Sequence, residues 1–253
     1  MPKSAERVIR ILELCATTKE GLRNVEIADA LNIPTGSLSI LLSGMVKRGY
    51  LILGPIGKRY TIGPQILVLA SHYVTNLDIV EMCHPILKDI VSATEESSSV
   101  SIRKGNEVVF ICKVDSTQPL TRIVAVGSCA PLHASAAGKI FLAHLSEEDL
   151  EKFFASEELK PFTPTTITDR KKLINELDKI REEGIAKNRE ELNEGIIALA
   201  APIFDVQGEV VASISSAVPN IRLDLIKENQ IAKSLRNAAE LLSRKLGYTG
   251  NNI

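Results

Sequence analysis

The sequence predicts an α+β chain in two parts: a small helical head closed by a β-hairpin, and a larger body with an antiparallel sheet flanked by helices. Three observations carry this. Residues 5–48 repeat apolar groups at helical spacing, broken by short polar turns, and the period then changes to that of strands in YLILGPIGKRYTIG. Beyond Glu96, strand patterns come first, then helices, then two more strands and a closing helix, the order expected of an α+β domain. Charge divides the same way. Residues 1–63 hold nine bases and five acids, a net of +4 against −1 for the whole chain, so the remainder carries −5.

In the head, AERVIRILELC sets Val8, Ile9, Leu12 and Cys15 along one helix face, with Ser4 as the candidate N-cap. Residues 17–23 are polar, contain Gly21 and read as a turn. NVEIADAL is a second, short helix, and Asn32-Ile33-Pro34 connects it to a third over about Thr35–Arg48. Pro34 suits that helix's first turn, where its missing N–H costs nothing. Leu38, Leu41, Leu42, Met45 and Val46 point inward, and Gly49 ends the helix. Two short strands around Gly54-Pro55-Ile56-Gly57 follow. Helix, tight turn, helix and hairpin make a winged helix-turn-helix, a unit that sets one helix in the DNA major groove. Domain boundaries are expected at 1–63 for this head, 64–78 for a linker helix and 79–253 for the body. The 64–77 stretch is too apolar for a solvated linker, and a partner subunit is the natural cover for it.

In the body, Asp78 is expected to cap a helix interrupted or kinked by Pro85. Strand patterns lie at Ser99–Arg103, Glu107–Val114 and Leu120–Val126, with Lys104-Gly105-Asn106 as a hairpin turn. Helices are expected at Ala134–His144 and Glu147–Phe154. TDRKKLINELDKIREEG is a helix capped by Thr168 or Asp169 and stopped by Gly184. Strands at Ile196–Phe204 and Glu209–Val218 precede a final helix over about Leu223–Leu246.

Composition narrows the function. Apolar residues are 45% and charged residues 24%, ordinary globular usage. No apolar run reaches the roughly 20 residues of a spanning helix, and the N-terminus lacks a signal-peptide core, so a cytoplasmic protein with no membrane partner is expected. Aromatics are 4% and Trp is absent, which disfavours base stacking on single strands. The four cysteines (Cys15, Cys83, Cys112, Cys129) have no metal or disulfide spacing and read as small buried side chains. His72, His84 and His144 show no metal-ligand pattern, and no cofactor or metal is expected. His133 and Ser135 are poorly placed for a nucleophile pair, so no catalytic residue is assigned; His133 is expected to hold its loop through a backbone hydrogen bond.

The motifs carry a family likeness along nearly the whole chain. The head shows Glu26-Ile27-Ala28, Leu31-Asn32-Ile33-Pro34, Gly49-Tyr50-Leu51 and Arg59-Tyr60-Thr61-Ile62-Gly63. The body shows Pro131-Leu132-His133-Ala134-Ser135-Ala136-Ala137-Gly138-Lys139, Glu191 followed by Gly195, then Ala200-Ala201-Pro202-Ile203-Phe204-Asp205 and Gly208. In this it resembles the IclR-type transcriptional regulators. The resemblance implies a GAF-like body that binds a small effector, often a carboxylate or aromatic acid. It also implies dimers or tetramers on palindromic operators, so an effector-responsive repressor is expected rather than an enzyme.

The expected DNA-binding residues are Thr35, Gly36, Ser37, Ser39, Ile40, Ser43, Lys47, Arg48, Lys58 and Arg59. Relatives usually carry arginine where Ile40 stands, so the bidentate Arg–guanine contact is unavailable and Ile40 is left to meet a thymine methyl. Lys58 and Arg59 near the hairpin tip suit phosphates. Lys47 and Arg48 fit either that role or the dipole of a helix end. For the effector, the start of the Ala134 helix offers unpaired N–H groups and positive partial charge, and its small residues let a ligand close to the backbone. The resemblance places the effector on Ala136, Ala137, Asn188, Ala198, Ser215 and Ala217, where relatives that take small oxo-acids have more polar side chains. Arg122 is either a carboxylate partner or a solvated strand arginine. Two other readings stay open: a winged-helix interaction protein with degenerate DNA or effector binding, and an enzyme using Cys112 or Cys129.

Overall fold

The computed structural model describes residues 3–69, 79–119 and 124–250. The chain forms two compact units, Met1–Leu77 and Asp78–Ile253.

The first unit holds α1 (Lys3–Ala16), β1 (Leu22–Arg23), α2 (Asn24–Leu31), α3 (Thr35–Lys47), β2 (Leu51–Leu53) and β3 (Arg59–Ile62). The chain bends by 117° between α2 and α3, within the range of a helix-turn-helix. Asn32 makes the bend in the left-handed region (φ 52°), its N–H returning to Ala28 and Asp29, a conformation Asn tolerates better than most residues. Ile11, Ile27, Leu38 and Leu42 are wholly buried together and lock the three helices. β2 and β3 form the hairpin, and β1 adds to the far edge of β3. The sequence reading took β1 as part of a turn; two residues are too few to show a period. Ser4, expected as a cap, lies inside α1. Residues 65–69 are helical, and the rest of the expected 64–77 helix, with Asp78, lies outside the described residues.

The second unit is a six-stranded antiparallel sheet in the order β6-β5-β4-β9-β8-β7. Its elements are α4 (Ile79–Thr94), β4 (Ser97–Lys104), β5 (Glu107–Val114), β6 (Cys129–Pro131), α5 (Ala136–Ala143), α6 (Glu147–Ser156), α7 (Arg170–Glu183), β7 (Ala186–Arg189), β8 (Ile196–Phe204), β9 (Val210–Pro219) and α8 (Leu225–Lys245). A core of Leu199, Ala201, Ile203, Ala212 and Ile214 packs one sheet face on α4 and α8. Val108, Phe110, Ala186 and Ala200 pack the other face on α5, α6 and α7. With both faces covered, β8 reads as the continuous apolar run IIALAAPIF rather than an alternating one. Pro202 sits beyond the 197–200 segment that pairs with β7, so its missing N–H removes no bond on that side.

Three body expectations change. Of the strand expected over Leu120–Val126, residues 120–123 lie outside the described residues, and 124–126 lead into a turn at Gly127 (φ 85°). Among the described residues the strand at that edge of the sheet is β6, three residues later in the chain and too short to signal itself. β7 was missed because AKNR has only Ala186 and Asn188 turned inward. Helix α4 runs on through Pro85.

Candidate functional site

The head presents one exposed face of α3. Thr35, Gly36, Ser37, Ser39, Ile40, Ser43, Lys47 and Arg48 are all exposed, and Ile40 is 76% accessible. Their polar groups are not equally free. The Ser39 hydroxyl donates to the Thr35 carbonyl (2.8 Å) and accepts from the Asn24 amide (3.0 Å). It therefore ties the start of α2 to α3. Gly36 and Gly44 have no atom within 4 Å of where a Cβ would stand, so packing inside the head demands neither glycine.

At the hairpin, the two basic residues part ways. Lys58 is exposed. Arg59 turns back into the head: its guanidinium donates to the Gly21 carbonyl (2.7 Å) and lies 3.4 Å from a Glu26 carboxylate oxygen. Glu26 also accepts from the Arg23 backbone N–H (2.8 Å) and its guanidinium (2.7 Å). The Arg23 backbone N–H, then its guanidinium, then Arg59 hold the Glu26 carboxyl below its usual pKa. Arg59 thus fastens the wing to the turn before α2. One signal in the sequence was missed: residues 30–77 contain no Asp or Glu. That acid-free stretch spans α3 and the wing, and it suits a polyanion.

The body holds a cavity of about 620 Å³, its open mouth included, between the sheet and the start of α5. Of the residues expected to bind an effector, Ala136, Ala137, Asn188, Ala198, Ser215 and Ala217 all line it, and Arg122 lies outside the described residues. Strand alternation sets the floor. Ser97 and Ser99 of β4 stand on one face, Ser99 is in register with Ser215 of β9, and their hydroxyls meet at 3.1 Å. Ser97 accepts from the Ser116 N–H (2.9 Å). Phe110, Val124, Leu192 and Ile196 make apolar walls. Lys113 lies at the cavity too, paired with Asp115 at 2.7 Å. Sequence reasoning named Ser215 but missed the β4 floor serines, Ser97 and Ser99. SSSVS carries no motif, and its facing becomes visible only through the register with β9.

The opposite wall is the first turn of α5. Ser135 caps it, accepting from Gly138 N–H (3.1 Å) and donating to the Pro131 carbonyl (2.7 Å). The N–H groups of Ala136 and Ala137 open the helix, where no intrahelical acceptor exists. Gly138 serves packing rather than a ligand: a Cβ there would come within 2.4 Å of the Leu132 backbone. Asn188 lines the cavity and also braces its wall. Its amide donates to the Ala134 carbonyl, and its oxygen accepts from Glu191 N–H (3.0 Å). Lys139, wholly buried, reaches Glu191 at 2.5 Å and the Lys187 carbonyl at 3.3 Å. Ala134, Asn188, Glu191 and Lys139 thus close a bonded ring around the start of α5. His133 lies 3.0 Å from the Lys160 carbonyl through Nε2, the loop-fixing contact expected of it. Cys15, Cys83 and Cys112 are buried, whereas Cys129 is exposed because it sits on the short edge strand.

A winged helix-turn-helix head with a basic, acid-free face, followed by a body with a lined cavity, defines the class of two-part DNA-binding regulators. The comparisons agree. The helix-turn-helix domain of IclR matches residues 4–52, and the C-terminal domain of the bacterial transcriptional regulator IclR matches residues 71–244. The chain belongs to the IclR family of bacterial transcriptional regulators. It is 28% identical over 250 residues to the DNA-binding transcriptional repressor YiaJ of Escherichia coli, covering 98% of this chain and 89% of that protein. The crystal structure of the Agobacterium tumefaciens repressor BlcR superposes with a TM-score of 0.82 at 28% identity, covering 99% of each chain. The inducer-binding domain of the Acinetobacter transcription factor PobR, a double mutant solved with 3-hydroxybenzoic acid, superposes with a TM-score of 0.60 at 27% identity. It covers 65% of this chain and 97% of that one. The family is one of regulators rather than enzymes.

Proposed function

We propose that this protein is an effector-responsive repressor that binds a palindromic operator as a dimer or tetramer and senses a small organic acid in its body cavity. The observation that carries the sensing role is the pairing of the free α5 amides of Ala136 and Ala137 with a serine floor inside apolar walls. A carboxylate sits on the two N–H groups, where the helix end favours negative charge. A hydroxyl or carbonyl elsewhere on the ligand exchanges hydrogen bonds with Ser99 and Ser215. A short chain or ring fills the space against Phe110, Leu192 and Ile196. The 3-hydroxybenzoate in the PobR domain combines these features, which supports an acid of that class here. Exposed Leu67 and Leu69 on the helix after the wing support self-association. A DNA-binding repressor of this kind acts in the cytoplasm.

The test is a thermal-shift screen of the full chain against short hydroxy-, keto- and hydroxybenzoic acids. A ligand at 100 times its Kd stabilises the folded state by about 2.7 kcal/mol, a shift well within reach of the assay. The expected hit raises Tm, and Ser215→Ala together with Ser99→Ala abolishes the rise. A panel without any shift refutes an acid-sensing cavity.

A further inference from the structure

The wing tip carries an apolar side chain that folding does not use. The hairpin closes through the Gly54 N–H and the Arg59 carbonyl at 2.8 Å, leaving Pro55, Ile56, Gly57 and Lys58 as the tip. Gly57 (φ 72°) and Lys58 (φ 48°) both turn through the left-handed region. At this tip Ile56 is 90% exposed, more than any other large exposed hydrophobic side chain among the described residues. It is not isolated. Leu53 on the wing and Val25 at the start of α2 are exposed as well, and with Tyr60 they line the cleft beside the tip. An apolar group of this size at a hairpin tip, with further apolar surface behind it, marks an interaction surface.

We propose that Ile56 is the wing's reading residue for duplex DNA, seated in the minor groove as an apolar wedge while Lys58 holds the flanking phosphate. The inference rests on the DNA-binding reading of the head and adds to it the residue that senses DNA shape. Charge selects this occupant. No carboxylate occurs between residues 30 and 77, so the wing offers one free cation and apolar groups to its partner. A minor groove is lined by sugars and rimmed by phosphates, and proteins that enter it often do so with Ile, Leu, Phe, Met or Pro between base steps. The alternative minor-groove reader, arginine, is withdrawn here, because Arg59 is bound to Gly21 and Glu26. Sequence preference at the wing therefore comes from deformability, with flexible pyrimidine–purine steps favoured.

The experiment selects duplexes from a randomised library with the full-length protein, with Ile56→Ser and with Ile56→Leu. Affinity at several salt concentrations, bend angle by circular permutation and oligomeric state by light scattering are then measured on the enriched duplex. Wild type is expected to enrich a central motif flanked at fixed offset by pyrimidine–purine steps, and to bend it. Ile56→Ser keeps the central motif and the salt slope, loses the flanking preference and the bend, and binds about tenfold more weakly, the size of one lost base-pair preference. Ile56→Leu restores all three. Lys58→Ala instead lowers the salt slope by about 1 with the flanking preference unchanged. An Ile56→Ser protein with the same flanks, bend and affinity overturns the proposal. So does one that binds DNA normally but changes its oligomeric state, which makes the tip a contact between copies. If wild type enriches no duplex at all, the DNA-binding reading itself fails and the wedge falls with it.

Discussion

Gly44 sits in the interior of α3, its carbonyl accepting from Arg48 N–H at 3.2 Å. Its φ is not in the left-handed region, and an added Cβ meets no atom within 4 Å. Alanine therefore fits with neither strain nor collision. Glycine costs an exposed helix interior about 1 kcal/mol relative to alanine, so Gly44→Ala should stabilise the head by about that much. For a cooperative unit of 60–100 residues this is a rise in Tm of about 4–8 °C. The head forgoes this gain, and the reason proposed is external: beside the exposed Ile40, the backbone of α3 comes close to the DNA. The methyl then stands where the duplex must be, and affinity should fall at least about tenfold, or about 1.4 kcal/mol. Denaturant unfolding and fluorescence anisotropy on one operator duplex measure the two effects side by side. A variant that is more stable and binds DNA as well as the wild type refutes the close approach. A variant with no gain in stability refutes the claim that Gly44 costs the helix anything.

Breaking the buried pair by Glu191→Ala strands the Lys139 ammonium in the interior, and urea unfolding should show a loss of about 3–5 kcal/mol. Replacing both partners by Lys139→Met and Glu191→Leu should recover most of it, and a loss below about 1 kcal/mol in the single variant would count against the pair. Burial pushes the Cys83 thiol to about 12, with Cys112 beside it adding to the rise, while Cys129 is exposed. Iodoacetamide at mildly alkaline pH should therefore label Cys129 rapidly and spare Cys83, as read by peptide mass mapping. Glu26 has its folded pKa below the ordinary 4.5, so its contribution is present above the unfolded value and lost as pH falls through the folded one. The Tm gap between wild type and Glu26→Gln should be open near neutrality and close on acidification; a gap constant with pH contradicts the bonding of the Glu26 carboxylate to Arg23 at the start of α2.

The long amphipathic helices were legible because their apolar spacing, caps and stops agree. Asp169 caps α7 through Lys172 N–H, and Gly184 ends it in the left-handed region, both as the sequence implied. Short edge strands were not legible. β1 and β6 owe their pairing to β3 and β5, and two or three residues carry no period of their own. The cavity was half legible. Its α5 wall stood out as a run of small residues at the start of a helix that is buried on every side, and the resemblance supplied the rest of that set. The β4 serines of the floor and the bracing contacts of Asn188 depend on strand register and on contacts across more than 50 residues, as between Asn188 and Ala134. Arg59 shows the same limit in the head. Its position near the hairpin tip suggests phosphate, and its bonds to Gly21 and Glu26, over 30 residues earlier in the chain, carry no signal in the sequence.

The bonded ring of Ala134, Asn188, Glu191 and Lys139 separates two jobs that most pockets combine. The scaffold is held by the hydrogen bonds that link these four residues, while on the floor the Ser99 and Ser215 hydroxyls bond only across the sheet to one another. Substitutions at Ser99, Ser215 and Ala217 alter the chemistry of the cavity and leave those bonds in place, whereas Ala198 stands in register with Asn188 and so borders the frame. Side chains on the floor can therefore be exchanged, changing what the cavity offers, while the wall beside it stays bonded.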